Sequence, residues 1–162
     1  MEPSEPENEQ HFKYRQNDRE VRATIVRVIA AHLRPEAEYS WSASDFDFRT
    51  ANLENVSFGK TIFAGAARFG EATFSGTTRS MEATFNGDAD FGNVTFSVAW
   101  FSGATFSRRA SFGGATFNGA AWFDNATVNC GAEFSKVGFR GRASFVKVHF
   151  GSERVGFTEP GW

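Results

Sequence analysis

The sequence predicts an all-β solenoid of short stacked strands, preceded by one helix. Phenylalanine occurs 20 times in 162 residues, against two tyrosines, which indicates one core position used repeatedly. From residue 46 onward, an apolar residue recurs every five or six positions. Self-similarity at a short, fixed period is the sequence signature of repeat architectures, in which stacked units bury a shared core.

The first segment, residues 1–16 (MEPSEPENEQHFKYRQ), is polar and acidic at its start. A segment with few apolar residues cannot bury enough surface to offset its ordering entropy, and disorder concentrates at chain termini. We therefore predict a disordered acidic N-terminus over residues 1–16.

A helix is predicted over residues 17–34, followed by a linker, so that 17–45 form a capping helix and linker. Asn17 and Glu20 have the spacing of an N-terminal capping box, and Pro35 ends the helix. The predicted apolar face follows the helical period and consists of Val21, Ile25, Val28, Ile29 and Leu33.

The repeat occupies residues 46–157. Its twenty centres are positions 48, 53, 58, 63, 69, 74, 80, 85, 91, 96, 101, 106, 112, 117, 123, 128, 134, 139, 145 and 150, seventeen of them phenylalanine. Two positions before most centres stands an alanine or a valine. Because an extended backbone sends alternate side chains to opposite faces, each centre and its alanine point inward while the residue between them points outward.

The units ATFSG, ATFSR, ATFNG, ADFGN and ASFGG resemble members of the pentapeptide-repeat family, in its phenylalanine-centred, actinobacterial-type branch with an N-terminal helix. The helical stretch REVRATIVRVIAAHLRP is similar to the segment that precedes the repeats in such proteins. The resemblance implies a right-handed quadrilateral parallel β-helix with four units per coil. It gives about five coils, 48–63, 69–85, 91–106, 112–128 and 134–150, with the helix as the cap of the first end.

One centre does not fit the pattern, because Ser80 stands where the aromatic column of Phe58 and Phe101 requires a ring. A buried hydroxyl without a partner costs about 1–3 kcal/mol. Either Ser80 occupies the core, or Met81 turns inward and the coil bulges there.

The two ends of a solenoid expose strand edges and apolar rings. At the C-terminal end, Phe157 and the tail 158–162, which carries Trp162, are candidates to cover the core. Alternatively, the same residues join the C-terminal coils of two chains in a homodimer.

The outward positions of one side form the column Ser57, Arg79, Trp100, Trp122 and Ser144. Exposed tryptophans in a patch often mark recognition surfaces, and Arg79 lies near enough in the column for a cation–π contact. Trp100, Trp122 and Arg79 are therefore the candidate partner-binding patch. The structural alternative is aromatic packing beneath a loop or terminus.

Catalysis is not expected, and no catalytic, cofactor or metal site is predicted. His11, His32 and His149 lie in three different segments, and the single cysteine, Cys130, gives neither a disulfide nor a nucleophile motif. The expected function is that of a rigid, non-catalytic module for protein interaction or structure.

An alternative function follows from the resemblance, because some family members imitate duplex DNA and bind DNA gyrase, as in quinolone resistance. Such mimicry needs a strongly negative surface. Residues 46–157 contain nine acidic and eleven basic side chains, so the charge favours neither this mimicry nor direct nucleic-acid binding. One cysteine and the lack of a long apolar run predict a cytoplasmic protein without a membrane span, and the family resemblance implies that it is bacterial.

Overall fold

The computed structural model describes residues 5–151 and 155–156, in which one helix precedes a parallel β-solenoid of about five turns. The helix, α1, spans Glu5–His32. The strands are β1 (Phe46–Asp47), β2 (Asn52–Glu54), β3 (Ile62–Phe63), β4 (Ala67–Arg68), β5 (Thr73–Arg79), β6 (Thr84–Phe85), β7 (Ala89–Asp90), β8 (Thr95–Trp100), β9 (Thr105–Phe106), β10 (Ala110–Ser111), β11 (Thr116–Phe117), β12 (Ala121–Trp122), β13 (Thr127–Val128), β14 (Ala132–Glu133), β15 (Gly138–Phe139), β16 (Ala143–Ser144), β17 (His149–Phe150) and β18 (Val155–Gly156).

Helix α1 is longer than predicted, because it begins at Glu5 rather than after a cap at Asn17. The segment 5–16, for which the sequence predicted disorder, thus forms helix, while residues 1–4 lie outside the described part of the chain. Glu, Gln, Lys and Arg dominate this segment and are good helix formers, and its one proline, Pro6, falls in the first turn, where proline is tolerated.

The face of α1 that packs on the solenoid also differs from the prediction. Val26, Ala30 and Leu33 are buried, whereas Val21, Ile25 and Val28, which were expected to face the core, are exposed. The helix carries apolar residues on two faces, and the sequence alone does not tell which face meets the first coil. Arg19 and Glu54 form a bidentate ion pair that ties α1 to β2.

All strand pairs of the solenoid are parallel and join a residue to its equivalent one coil later. Four faces result. Face 1 contains β1, β4, β7, β10, β14 and β18, and face 4 contains β3, β6, β9, β13 and β17. Faces 2 and 3 are joined into one sheet, because β5 and β8 run across the corner between them. Face 2 also holds β2, β11 and β15, and face 3 also holds β12 and β16.

The core consists of phenylalanine columns, as the repeat predicted. Along face 4, the ring centroids of Phe63, Phe85 and Phe106 follow one another at 5.0 Å with nearly parallel planes. This distance matches the spacing of hydrogen-bonded strands, about 4.8 Å. Rings of different columns meet edge to face, as Phe91 and Phe101 do at 5.5 Å. Most alanines of the repeat are buried between the rings and leave room for them, whereas Ala51 of the first coil is half-buried and Ala143 of the last coil is exposed.

Ser80 occupies the core position of face 3 and is 2% exposed, so it is not replaced by Met81, which is half-buried. The irregularity lies earlier, where the register of β5 against β8 shifts between Phe74 and Thr77. Thr78 takes the usual alanine position and is 2% exposed, and its Oγ1 has no hydrogen-bond partner among the described residues.

The linker after α1 satisfies the strand edge of the first coil. The N–H of Ile62 donates to the carbonyl of Leu33 at 2.7 Å, and the N–H groups of Ala64 and Gly65 donate to that of Ser42 at 2.8 and 3.1 Å. The N–H of Ala66 donates to Asp45 Oδ1 at 2.8 Å. Helix and linker therefore cap this end through backbone hydrogen bonds as well as apolar contacts.

At the opposite end, the last complete coil is less covered by the described residues. Phe139, Phe145 and Phe150 are half-buried, and Val146 is exposed. Phe157 and Trp162, predicted to cap this end or to join a second chain, lie outside the described residues.

Candidate partner-binding surface

The outward side of face 3 brings the predicted column together. Arg79 pairs in register with Trp100, and Trp100 with Trp122. Ser57 is bridged to Arg79 at one end of the column, and Trp122 is paired with Ser144 at the other. The two tryptophans therefore lie on adjacent coils, as the five- and six-residue steps predicted.

Strand alternation explains why these two large rings point outward. Ala99 and Ala121 precede the tryptophans, Phe101 and Phe123 follow them, and all four side chains are buried. A side chain between two inward-facing neighbours must project from the sheet. The tryptophans thus stand on a core that is packed directly beneath them.

The two tryptophans differ in how far they are covered. Trp100 is 38% exposed, whereas Trp122 is half-buried. The guanidinium carbon of Arg142 lies 5.4 Å from the centroid of the Trp122 ring, which is a cation–π geometry. Trp122 is therefore partly shielded by an arginine, and Trp100 is open to solvent.

The arginine over the ring is not the one that the sequence suggested. Arg79 was expected to supply the cation–π contact, but in the described part of the chain Arg142 does so, and the two indole rings do not stack on each other. Arg142 stands at the corner of the following coil, where its carbonyl accepts a hydrogen bond from the N–H of Ala121 at 2.8 Å. The equivalent bond from Ala99 goes to Ala120, whose methyl group cannot cover Trp100.

The charged groups beside the column leave it positive. Arg79 and Arg142 are exposed and take part in none of the ion pairs found among the described residues. The nearby carboxylate of Asp124 is engaged, since it accepts hydrogen bonds from the Ser144 hydroxyl and from the N–H of Val146 at 2.8 Å. Two unpaired guanidinium groups thus flank two indole rings.

On face 1, by contrast, acidic groups are held by neighbours within the chain. Asp47 forms an ion pair with Arg49 at 2.6 Å, and the hydrogen bonds from Arg49 lower the pKa of Asp47 from 3.8 to about 2. Hydrogen bonds from Ser135 and then Arg109 lower the pKa of Glu133. These carboxylates fix the corners of the coils.

The residues considered for catalysis do not come together. His32 stacks on Trp41 with ring centroids 4.0 Å apart, His149 lies on β17, and Cys130 is half-buried. No group of three or more His, Cys, Asp or Glu side chains within the described ranges could hold a metal ion. Nor does the helix described here contain an apolar stretch long enough to cross a bilayer.

Comparison with known families bears on the repeat itself. Residues 72–116 match the model of the family described as pentapeptide repeats, with nine copies. Residues 72–116 are therefore pentapeptide repeats. No curated protein and no solved structure matches the chain.

The matched range contains Arg79 and Trp100, and the strand register continues the column to Trp122 on the next coil. The actinobacterial-type branch of the family stays a prediction. The residue that sequence reasoning missed, Arg142, could have been found by noting which corner residue lies one coil above each tryptophan.

Proposed function

We propose that this protein is a non-catalytic module that binds a protein partner through the tryptophan patch, defined as Arg79, Trp100, Trp122 and Arg142. The observation that carries the proposal is Trp100, which is 38% exposed at the centre of a β surface. A large ring left open beside unpaired arginines has the composition of an interaction hot spot, which is enriched in Trp and Arg.

The support beneath the patch favours binding. The residues beside Trp100 in the chain, Ala99 and Phe101, are each 0% exposed, and the backbone of face 3 is hydrogen-bonded to coils on both sides. A surface that is ordered before binding loses little conformational entropy on association. The tryptophan patch is therefore already ordered in the conformation that binds the partner.

The charge of the patch indicates the chemistry of the partner. Arg79 and Arg142 offer donors to carboxylates, and the indole rings offer apolar area between them. The proposed partner therefore presents an apolar or aromatic side chain flanked by acidic residues.

The experiment is an affinity pull-down with purified full-length protein and the double variant Trp100→Ala/Trp122→Ala. We expect the variant to keep its fold, because both side chains project outward, and to lose the proteins that the wild type retains. The matched control is Thr73→Ala/Thr95→Ala, a pair in register on two adjacent coils of face 2. Equal retention of partners by all three proteins, or unfolding of the tryptophan variant, would contradict the proposal.

The rival function, DNA mimicry toward gyrase, has its own readout in a supercoiling assay. Potent inhibition of supercoiling that persists in the tryptophan double variant would favour the rival. The balanced charge of residues 46–157, nine acidic against eleven basic side chains, leads us to expect no such inhibition.

A further inference from the structure

Helix α1 has a second apolar face that is largely exposed in the described structure. Val21, Ile25 and Val28 are 57%, 52% and 45% exposed. Their spacing of four and three residues is that of a coiled-coil seam. These three branched aliphatic side chains form an exposed surface against which another helix can pack.

This face points away from the solenoid. The buried face of α1 consists of Val26, Ala30 and Leu33, and at 3.6 residues per turn the Val21–Ile25–Val28 face lies about 140° around the helix axis from it. Trp41 extends the exposed face at its C-terminal end, since it is 40% exposed and stacks on His32. A partner helix can therefore approach without meeting the repeat.

The two ends of the face carry complementary groups. Asp18, one turn before Val21, is exposed and forms no ion pair among the described residues. His32, one turn after Val28, directs Nδ1 to the carbonyl of Tyr39 at 2.8 Å. Because a carbonyl only accepts, Nδ1 carries the hydrogen, and in the imidazolium form Nε2 carries a second one that can be donated to a carboxylate outside the helix.

We propose that the occupant of this face is the α1 helix of a second copy of the chain, packed antiparallel. Ile25 then meets Ile25 of the second copy at the two-fold axis, and Val21 meets Val28 on either side. Asp18 faces His32 at both ends. A parallel pair would set Asp18 against Asp18, so charge complementarity selects the antiparallel arrangement.

The dimer has a consequence for binding that rests on the proposed function, although the dimer itself does not. Each copy carries one tryptophan patch, so a dimer presents two on one particle. Linked sites raise the avidity for a partner that is itself dimeric or displayed in an array.

The first test is disulfide cross-linking of full-length protein in a Cys130→Ser background. We expect Ile25→Cys to form a covalent dimer on mild oxidation, because the residue lies on the two-fold axis. Val21→Cys and Val28→Cys should not cross-link alone but should do so when mixed. Cross-linking of Val21→Cys alone, or failure of Ile25→Cys to cross-link, would overturn the antiparallel pairing.

The second test is sedimentation equilibrium of the wild type, Ile25→Arg and Val146→Arg. We expect the wild type to be a dimer. In Ile25→Arg the dissociation constant of the dimer should rise at least about 100-fold, because two like charges meet at the two-fold axis. Val146→Arg is the matched control, an exposed aliphatic residue of the last coil. A monomeric wild type, or a dimer disrupted by Val146→Arg instead, would refute the proposal. Circular dichroism verifies that each variant keeps its strands, independently of any partner binding.

Discussion

At the scale of single residues, the second coil contains two buried polar side chains where the other coils have apolar ones. Ser80 takes a phenylalanine position and Thr78 an alanine position, and both are 2% exposed. A third buried polar side chain, Thr61, differs because its hydroxyl donates to the carbonyl of Phe58 at 2.6 Å. The unpartnered Oγ1 of Thr78 is therefore a local cost to stability.

We expect Thr78→Val to raise the free energy of unfolding by about 1–2 kcal/mol, because it removes an unsatisfied hydroxyl at nearly constant volume. Thr61→Val is the matched control, and it should lower that free energy by about 1 kcal/mol, since it removes a satisfied hydrogen bond. Urea denaturation measures both. A destabilised Thr78→Val would show that the hydroxyl has a partner.

A second residue-scale prediction concerns pH and the Asp47–Arg49 pair. The pKa of Asp47 falls from 3.8 to about 2 on folding, so its ionised form stabilises the folded protein above pH 3.8. That contribution is lost as the pH falls from 3.8 towards 2. We expect the stability difference between the wild type and Asp47→Asn to shrink over this interval in thermal melts. A constant difference between pH 5 and pH 2 would contradict the linkage.

At this scale the sequence predicted the position of the misfit but not its form. The five- and six-residue steps left open whether Ser80 or Met81 occupies the core, and the structure has Ser80 there. The register shift between Phe74 and Thr77 depends on how β5 bends across the corner to pair with β8, which no residue spacing encodes.

At the scale of elements, the short strands are constrained by close approach between neighbouring coils. A Cβ built on Gly119 would lie 2.4 Å from the carbonyl oxygen of Ser97 in the preceding coil. At Gly138 the nearest atom, Thr116 Oγ1, is 3.9 Å away. Close approach of the preceding coil therefore requires a glycine at position 119, whereas position 138 has room for a side chain.

We expect Gly119→Ala to destabilise the protein by about 1–3 kcal/mol, because the backbone of the preceding coil cannot yield to the methyl group without shifting. Gly138→Ala is the control. We expect it to leave the free energy of unfolding unchanged or to raise it by up to about 1 kcal/mol, because alanine lowers the entropy of the unfolded chain. Thermal unfolding of both variants measures the contrast. Equal effects would show that the coils can separate at Gly119.

Helix α1 shows the limit of periodicity as a predictor. Its existence, its end near Pro35 and the core contacts of Ile29 and Leu33 were predicted, but its start and the exposure of Val21, Ile25 and Val28 were not. Val26 with Ala30 and Val21 with Ile25 both satisfy the helical spacing. The choice between them depends on how the chain turns after His32, where Trp41 N–H donates to the carbonyl of His32 at 3.0 Å.

At the scale of the whole molecule, the columns of the solenoid were predictable because each coil repeats the register of the one before it. This rule placed Arg79, Trp100 and Trp122 in one line, as the strand pairs show. It did not locate Arg142, because a corner residue covers a ring of the preceding coil rather than one of its own. Contacts along the strands follow from the register alone, whereas a contact at a corner is found only by comparing each ring with the corner residue one coil later.

The hydrogen bonds from the first coil to Leu33, Ser42 and Asp45 also affect how such molecules can accumulate. Head-to-tail polymerisation of a β-solenoid requires an unpaired ladder at both termini of every subunit, so that each addition regenerates an acceptor. Here the face 4 ladder of the first coil is already occupied by groups of the chain's own linker. A far coil that stacks on this end therefore finds no free N–H groups at Ile62, Ala64, Gly65 and Ala66.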